Sequence, residues 1–148
     1  MNSVIDEFKG RYFFLSNFSE SPFVYDGHRF GNAEAAFQAA KCPYRMAEFC
    51  NLNPSEAKRL GRRVHLRPDW ESVKDQVMYD VCLCKFTQNP ELLDKLFQTG
   101  CAELVEGNTW GDKVWGVCDG VGENRLGKIL MKIRGELMVE ALKGVSLS

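Results

Sequence analysis

Apolar and polar positions follow two rhythms along this chain. Up to about residue 30 they read as strand and turn. Arg11 to Leu15 is dense in aromatics, and Pro22-Phe23-Val24-Tyr25, Asp26-Gly27 and His28-Arg29-Phe30 form a hairpin signal. Asp-Gly suits a type I′ turn, which needs positive φ at both central residues. Thereafter the period is helical. Asn32 is placed to cap a helix running to about Lys41, which Pro43 helps to stop. Asn53-Pro54-Ser55-Glu56 joins a cap, a proline at the first helical position and an acid at the third. Asp69 and Asn89-Pro90 open two more helices; in the first, Trp70, Val73, Val77, Val81 and Cys84 make one apolar stripe, and Gly100 ends the second. Ala102 to Glu106 and Val114 to Cys118 read as short strands around a Gly/Asn/Thr turn. A last helix, from about Arg125 to Leu142, sets Leu126, Ile129, Leu130, Ile133, Leu137 and Leu142 largely on one side.

The expected class is α+β: helix-rich, a single domain over residues 1–148, with a small, mainly antiparallel sheet. Strands do not alternate regularly with helices, which argues against a doubly wound parallel sheet. No repeat, low-complexity tract or linker-like run marks a second domain.

Composition narrows the function. With 148 residues, 45% apolar and 26% charged, the chain is long enough to carry a real core. Its 19 Lys+Arg against 20 Asp+Glu give no global footprint for non-specific duplex binding or for an anionic membrane, though a local basic pocket remains open. The first residues lack signal-peptide character and no stretch approaches the ~18 apolar residues of a membrane span, so the expected location is the cytoplasm. The cysteines, at 42, 50, 82, 84, 101 and 118, form no Cys-x-x-Cys pair, and His28 and His65 stand at no ligand spacing from them. They read as small buried hydrophobes in a reducing compartment, and neither a metal nor a cofactor is expected.

Four stretches could carry chemistry. In Asn32 to Lys41, Glu34, Gln38 and Lys41 fall at i, i+4 and i+7, on one narrow helical face at about 100° per residue, opposite Ala33, Ala36, Phe37 and Ala40. Taken alone, such a stripe is most often a solvated polar face. Asp112-Lys113-Val114-Trp115-Gly116 offers an aspartate in a turn and a tryptophan. Gly120 to Lys128 is a glycine-containing loop feeding the last helix, where free backbone N–H groups, Arg125 and Lys128 suit a phosphate. Gly10 to Phe18 combines aromatics with the turn-prone Ser16-Asn17.

Together these pieces resemble the YbiA-like family, also called the NADAR (NAD and ADP-ribose) domain, over nearly the whole chain. Leu15-Ser16-Asn17-Phe18, Glu34-x-x-x-Gln38-x-x-Lys41 and Ala57-Lys58-x-Leu60-Gly61-Arg62 match its motifs. Trp70, Lys85-Phe86-x-Gln88-Asn89, Leu104-Val105-Glu106, Asp112-x-x-Trp115-Gly116 and Gly122-x-Asn124-x-Leu126-Gly127 follow in the family's order. Some relatives carry His after the helix glutamate; here Ala35 stands there, so any acid or base must come from carboxylates or Lys41.

The resemblance implies hydrolysis of an N-glycosidic bond to ribose. Two substrate classes follow from it: phosphoribosylamino-pyrimidine intermediates of riboflavin synthesis, and ADP-ribose attached to guanine, which would make ADP-ribosylated DNA a partner. It places functional positions on Glu34, Lys41, Trp70, Asp112 and Trp115. On one route Glu34 stabilises the oxocarbenium-like centre or activates water while Asp112 serves the leaving group, or the reverse. On the other, Lys41 attacks an opened aminal and forms a Schiff base. Phe18, Trp70 and Trp115 would stack the base. Arg11, Arg125, Lys128 and the backbone near Asn124 would hold phosphate, with Asn17 and Gln38 completing the substrate-binding set. Two other readings stay open: a non-catalytic module binding ADP-ribose or a related nucleotide, and a nucleic-acid-end repair factor using Arg59, Arg62, Arg63 and Arg67.

Overall fold

The Asp26-Gly27 turn forms as its sequence requires, with φ of 50° at Asp26 and 76° at Gly27. This computed structural model describes residues 3–147, with side chains to residue 144. In chain order the elements are β1 (Val4–Ile5), β2 (Glu20–Tyr25), β3 (His28–Asn32), α1 (Ala33–Ala39), α2 (Pro54–Gly61), α3 (Trp70–Thr87), α4 (Pro90–Gln98), β4 (Glu103–Leu104), β5 (Gly107–Asn108), β6 (Val117–Cys118) and α5 (Arg125–Leu147). Short 3-10 helices occupy Gly10–Leu15 and Pro43–Phe49. The chain divides into two compact units: a central one, Ser16–Pro90, and a flanking one formed by the segments before and after it.

In the central unit β2 and β3 pair antiparallel, with Phe23 opposite Phe30, both almost fully buried and their ring centroids 6.4 Å apart. Gln88, at the end of α3, acts as a side-chain strand partner: its Oε1 accepts from Val24 N at 2.7 Å and its Nε2 donates to Val24 O at 2.8 Å. Asn89 Nδ2 donates to Pro22 O at 3.0 Å. These bonds tether the hairpin to α3.

Asn32 caps α1 by accepting from Ala35 N at 2.8 Å. The helix stops at Ala39, two residues before the expected Lys41, because Lys41 N and Cys42 N bond back only three residues, to Gln38 O and Ala39 O. All seven residues of α1 are buried, so Glu34 and Gln38 do not form the solvated face that such a stripe, taken alone, most often makes. Ala33, Ala35, Ala36 and Ala39 are fully buried, and side chains this small let neighbouring elements approach closely. The capping box expected at Asn53 is present, closed by Glu56. Asp69 precedes α3 but does not cap it through its side chain; its carboxylate binds Arg67, Nε to Oδ1 at 2.6 Å. The stripe of α3 is buried at Trp70, Val77 and Val81, together with Met78, Cys82 and Phe86.

The flanking unit departs further from the sequence pattern. Residues 11–15, expected as strand, lie in a 3-10 helix: Gly10 turns the chain with φ of 58°, and Phe14 and Leu15 are both buried, whereas a half-buried strand would send neighbours to opposite faces. The expected sheet is three separate two-stranded ladders. Only β2–β3 is antiparallel; β1–β4 and β5–β6 are parallel and two residues long. The two strand-like stretches around the Gly/Asn/Thr turn do not close a hairpin, because side chains there compete for the backbone. Asp112 N donates to Asn108 Oδ1 at 3.0 Å while Asn108 Nδ2 donates to Asp112 O at 2.9 Å. In α5 Leu126, Leu130 and Ile133 are buried, but Leu142, expected on the same stripe, is 61% exposed. The helix outruns the surface that its first turns cover.

Candidate active site

The polar face of α1 is built from both of its ends. Near the N-terminus Glu34 N, which has no partner within the helix, donates to Asn17 O at 3.0 Å. One turn later Gln38 Nε2 donates to Glu34 Oε1 at 3.2 Å. A carboxylate only accepts, so the amide must present its NH2 to Glu34 and point Oε1 the other way. That oxygen is buried without a hydrogen-bond partner and faces Gly61 of α2. A β-carbon at Gly61 would overlap Gln38 Oε1, whereas the glycine Cα–H fits and supplies a weak contact. Glu34 and Gln38 are both more than nine-tenths buried, a costly place for a carboxylate unless neighbours stabilise it.

Lys41 is such a neighbour. Its amine lies half-buried just past α1, with Nζ 5.9 Å from the centroid of the Trp70 ring. Burial holds its pKa below that of an ordinary lysine; the charge of Glu34 opposes this, and those of Arg62 and Lys58 add to it. Trp70, 6% exposed, packs tilted against Phe37 with centroids 5.1 Å apart. Arg67 N donates to Lys41 O at 2.9 Å and joins the segment after α1 to the one before α3. Glu34, Gln38, Lys41 and Trp70, singled out in the sequence, are thus gathered in one unit.

Two other expected residues, Asn17 and Phe18, lie in the segment before β2. The Asn17 side chain turns toward α3, donating to Met78 Sδ at 3.3 Å, so Asn17 meets the site through its backbone carbonyl. Phe18 is 38% exposed, with Lys58 Nζ 6.0 Å from its ring centroid. The loop holding both is anchored by Lys85, a lysine 1% exposed whose Nζ donates to Ser16 O at 3.0 Å and Ser19 Oγ at 3.2 Å. Burial lowers its pKa to about 8, and raises that of neighbouring Cys82 to about 12. Sequence reasoning gave no role to Lys85, Lys58 or Gly61. The available signal for Lys58 and Arg62 was their i, i+4 spacing as like charges.

Arg11, Asp112, Trp115, Asn124 and Arg125 lie in the flanking unit. Asp112 Oδ1 accepts from Val114 N at 3.1 Å and Trp115 N at 2.9 Å, so this carboxylate shapes the turn that presents the half-buried Trp115. Asn124, at φ 52°, is 7% exposed; its Oδ1 accepts from Glu106 N and its Nδ2 donates to Leu104 O. The backbone cradle expected before α5 is already filled. Glu123 N, Asn124 N, Arg125 N and Leu126 N donate to the carbonyls of Lys113, Gly116, Val114 and Trp115. Arg125 pairs with Glu123 at 3.1 Å, and Arg11 lies over the Tyr12 ring, 4.7 Å from its centroid.

The polar helix, its glycine contact and the lysine beside Trp70 fall on the motifs noted above, and the NADAR domain model matches residues 6–138. The chain belongs to the NADAR family. It is 41% identical over 132 residues to N-glycosidase YbiA of Shigella flexneri serotype 5b, covering 85% of this chain and 82% of that protein. Over 93 residues it is 40% identical to the chloroplastic riboflavin biosynthesis protein PYRR of Zea mays, covering 58% of this chain and 15% of that protein. The NMR structure of Escherichia coli YbiA matches with a TM-score of 0.83 at 39% identity, covering 96% of this chain and 89% of that one. The helix-rich α+β class is therefore that of the NADAR neighbour. Among the described residues no helix is long and apolar enough to cross a membrane.

Proposed function

We propose that this NADAR chain is an N-glycosidase that hydrolyses the bond between C1′ of a phosphorylated ribosyl group and a base nitrogen, with Lys41 and Glu34 as the reacting groups. The observation that carries this reading is the half-buried Lys41 amine, shifted toward its neutral form, beside the buried Glu34 carboxylate. A neutral amine is a nucleophile; an ammonium is not. The N-glycosidase and riboflavin-biosynthesis names of the relatives support the same chemistry and favour a phosphoribosylamino-pyrimidine over ADP-ribosylated guanosine as substrate.

On this reading the sugar ring opens to an imine at C1′, and the Lys41 Nζ lone pair forms a bond to that carbon. The C1′–N bond to the base then breaks, its electron pair leaving with the base nitrogen, which takes up a proton. Glu34 relays protons between the amine and the leaving nitrogen. Water adds to the lysine imine, and C1′ departs as the sugar aldehyde while Lys41 is regenerated. The sum is hydrolysis, with no co-reactant but water. Trp70 walls the amine on its apolar side and excludes water from it.

Mass spectrometry of purified protein with each of the two substrates tests the reading. It expects release of ribose 5-phosphate from the phosphoribosylamino-pyrimidine, largely abolished in Glu34→Gln. Release of ADP-ribose from ADP-ribosylated guanosine alone would move the substrate assignment to nucleic acid. Full activity of Glu34→Gln would remove the glutamate from the mechanism.

A further inference from the structure

Lys58 and Arg62 stand four residues apart at the C-terminal end of α2, Lys58 half-buried and Arg62 exposed. Like charges at this spacing repel one another, so the pair has a cost that an opposite charge would remove. Among the described residues neither has a carboxylate within ion-pair distance; the acids that do pair engage other cations, such as Asp69 with Arg67 and Glu123 with Arg125. The two cations also border the polar face of α1. Gly61, which precedes Arg62, lies against the Gln38 amide, and Lys58 Nζ sits over the exposed Phe18 ring. The Lys41 amine feels the charges of both cations and of one buried carboxylate, Glu34, so positive charge outnumbers negative around it. The negative end of the α2 dipole helps to hold these charges.

We infer that Lys58 and Arg62 bind the phosphate group of the ribosyl substrate and seat it beside Lys41. The inference rests on the reading of Lys41 and Glu34 as the reacting groups. Of the positions expected from sequence to hold phosphate, the N–H groups before α5 bind carbonyls, Arg125 binds Glu123 and Arg11 covers Tyr12, while Lys128 stands exposed. Arg62 can meet two phosphate oxygens with its planar fork, and Lys58 adds a point charge with a hydrophobic rest on Phe18.

The test is calorimetric titration of the full chain with ribose 5-phosphate and with ribose, for wild type, Lys58→Gln, Arg62→Gln and the double variant. Wild type binds ribose 5-phosphate more tightly than ribose. Each substitution weakens ribose 5-phosphate by about tenfold or more, the size of a charge-assisted hydrogen bond. In the double variant the preference over ribose collapses, whereas Arg62→Lys keeps part of it. Thermal melts confirm folding, since neither side chain lies in the core. Ribose 5-phosphate bound equally by wild type and double variant overturns the inference, as does a wild type without preference for the phosphate. A short unmodified oligonucleotide that loses affinity in the variants, where ribose 5-phosphate does not, also overturns it in favour of a nucleic-acid backbone. Binding needs no turnover, so the two readings fail separately. Lost phosphate preference with no glycosidic cleavage refutes only the activity; cleavage with unchanged KM in the double variant refutes only the phosphate seat.

Discussion

Gly61 packs its bare α-carbon against the side-chain amide of Gln38, and through that amide it fixes the carboxylate of Glu34. Two helices thereby share one polar contact in a place where burial leaves little freedom. Gly61→Ala forces the amide to move, since its β-carbon would occupy the position of Oε1. The expected cost is about 1–3 kcal/mol of stability, as for other overpacked sites, with a fall in turnover beyond what lost folding explains. Thermal denaturation and steady-state rates of the folded fraction check both. An unchanged rate would mean that Gln38 does not orient Glu34.

The buried Lys85 gives stability a distinct pH dependence. Its pKa falls from 10.5 to about 8 on folding, so above pH 8 the unfolded chain binds more protons and stability rises with pH. Cys82 acts oppositely above pH 9, because its thiol ionises near 9.0 unfolded and only near 12 folded. The clean window is therefore pH 8 to 9. Urea midpoints of wild type should rise across it relative to those of Lys85→Met; parallel curves would show that Lys85 titrates normally.

Asp112 separates a loop-shaping carboxylate from a proton donor. Asp112→Asn keeps a carbonyl oxygen to accept from Val114 N and Trp115 N, and should leave stability within about 0.5 kcal/mol of wild type. Asp112→Ala removes both bonds and should cost about 1–3 kcal/mol. Faster amide hydrogen exchange at Val114 and Trp115 should accompany it. Equal exchange in the two variants would contradict the role given to this side chain.

How much of this was legible in the sequence depended on whether the signal was local. The Asp26-Gly27 turn and the Asn53 capping box formed as read, because each is specified by residues within four positions of one another. The parallel pairs β1–β4 and β5–β6 were not legible, since two-residue ladders carry no periodicity and their partners are set by distant chain. Residues 11–15 misled for a similar reason: aromatic density signals a strand, but the left-handed Gly10 turns the chain into a 3-10 helix. At the site, the i, i+4 spacing of Glu34 and Gln38 put the two on one helical face, where the structure joins them by a hydrogen bond. Their burial was invisible, because it depends on distant chain such as α2, whose Gly61 packs against Gln38. Lys85 was legible only as part of a family motif; its role was hidden, because its ammonium is held by Ser16 O, 69 residues away in the chain.

The central claim is that Lys41 attacks C1′. Turnover of a phosphoribosylamino-pyrimidine in the presence of borohydride, followed by peptide mass spectrometry, tests it most directly, because reduction fixes a lysine imine as a stable secondary amine. The account predicts a ribosyl-phosphate adduct on Lys41 in wild type, and neither adduct nor appreciable turnover in Lys41→Ala. Undiminished turnover by Lys41→Ala, or rapid wild-type turnover with no trapped adduct, would contradict it.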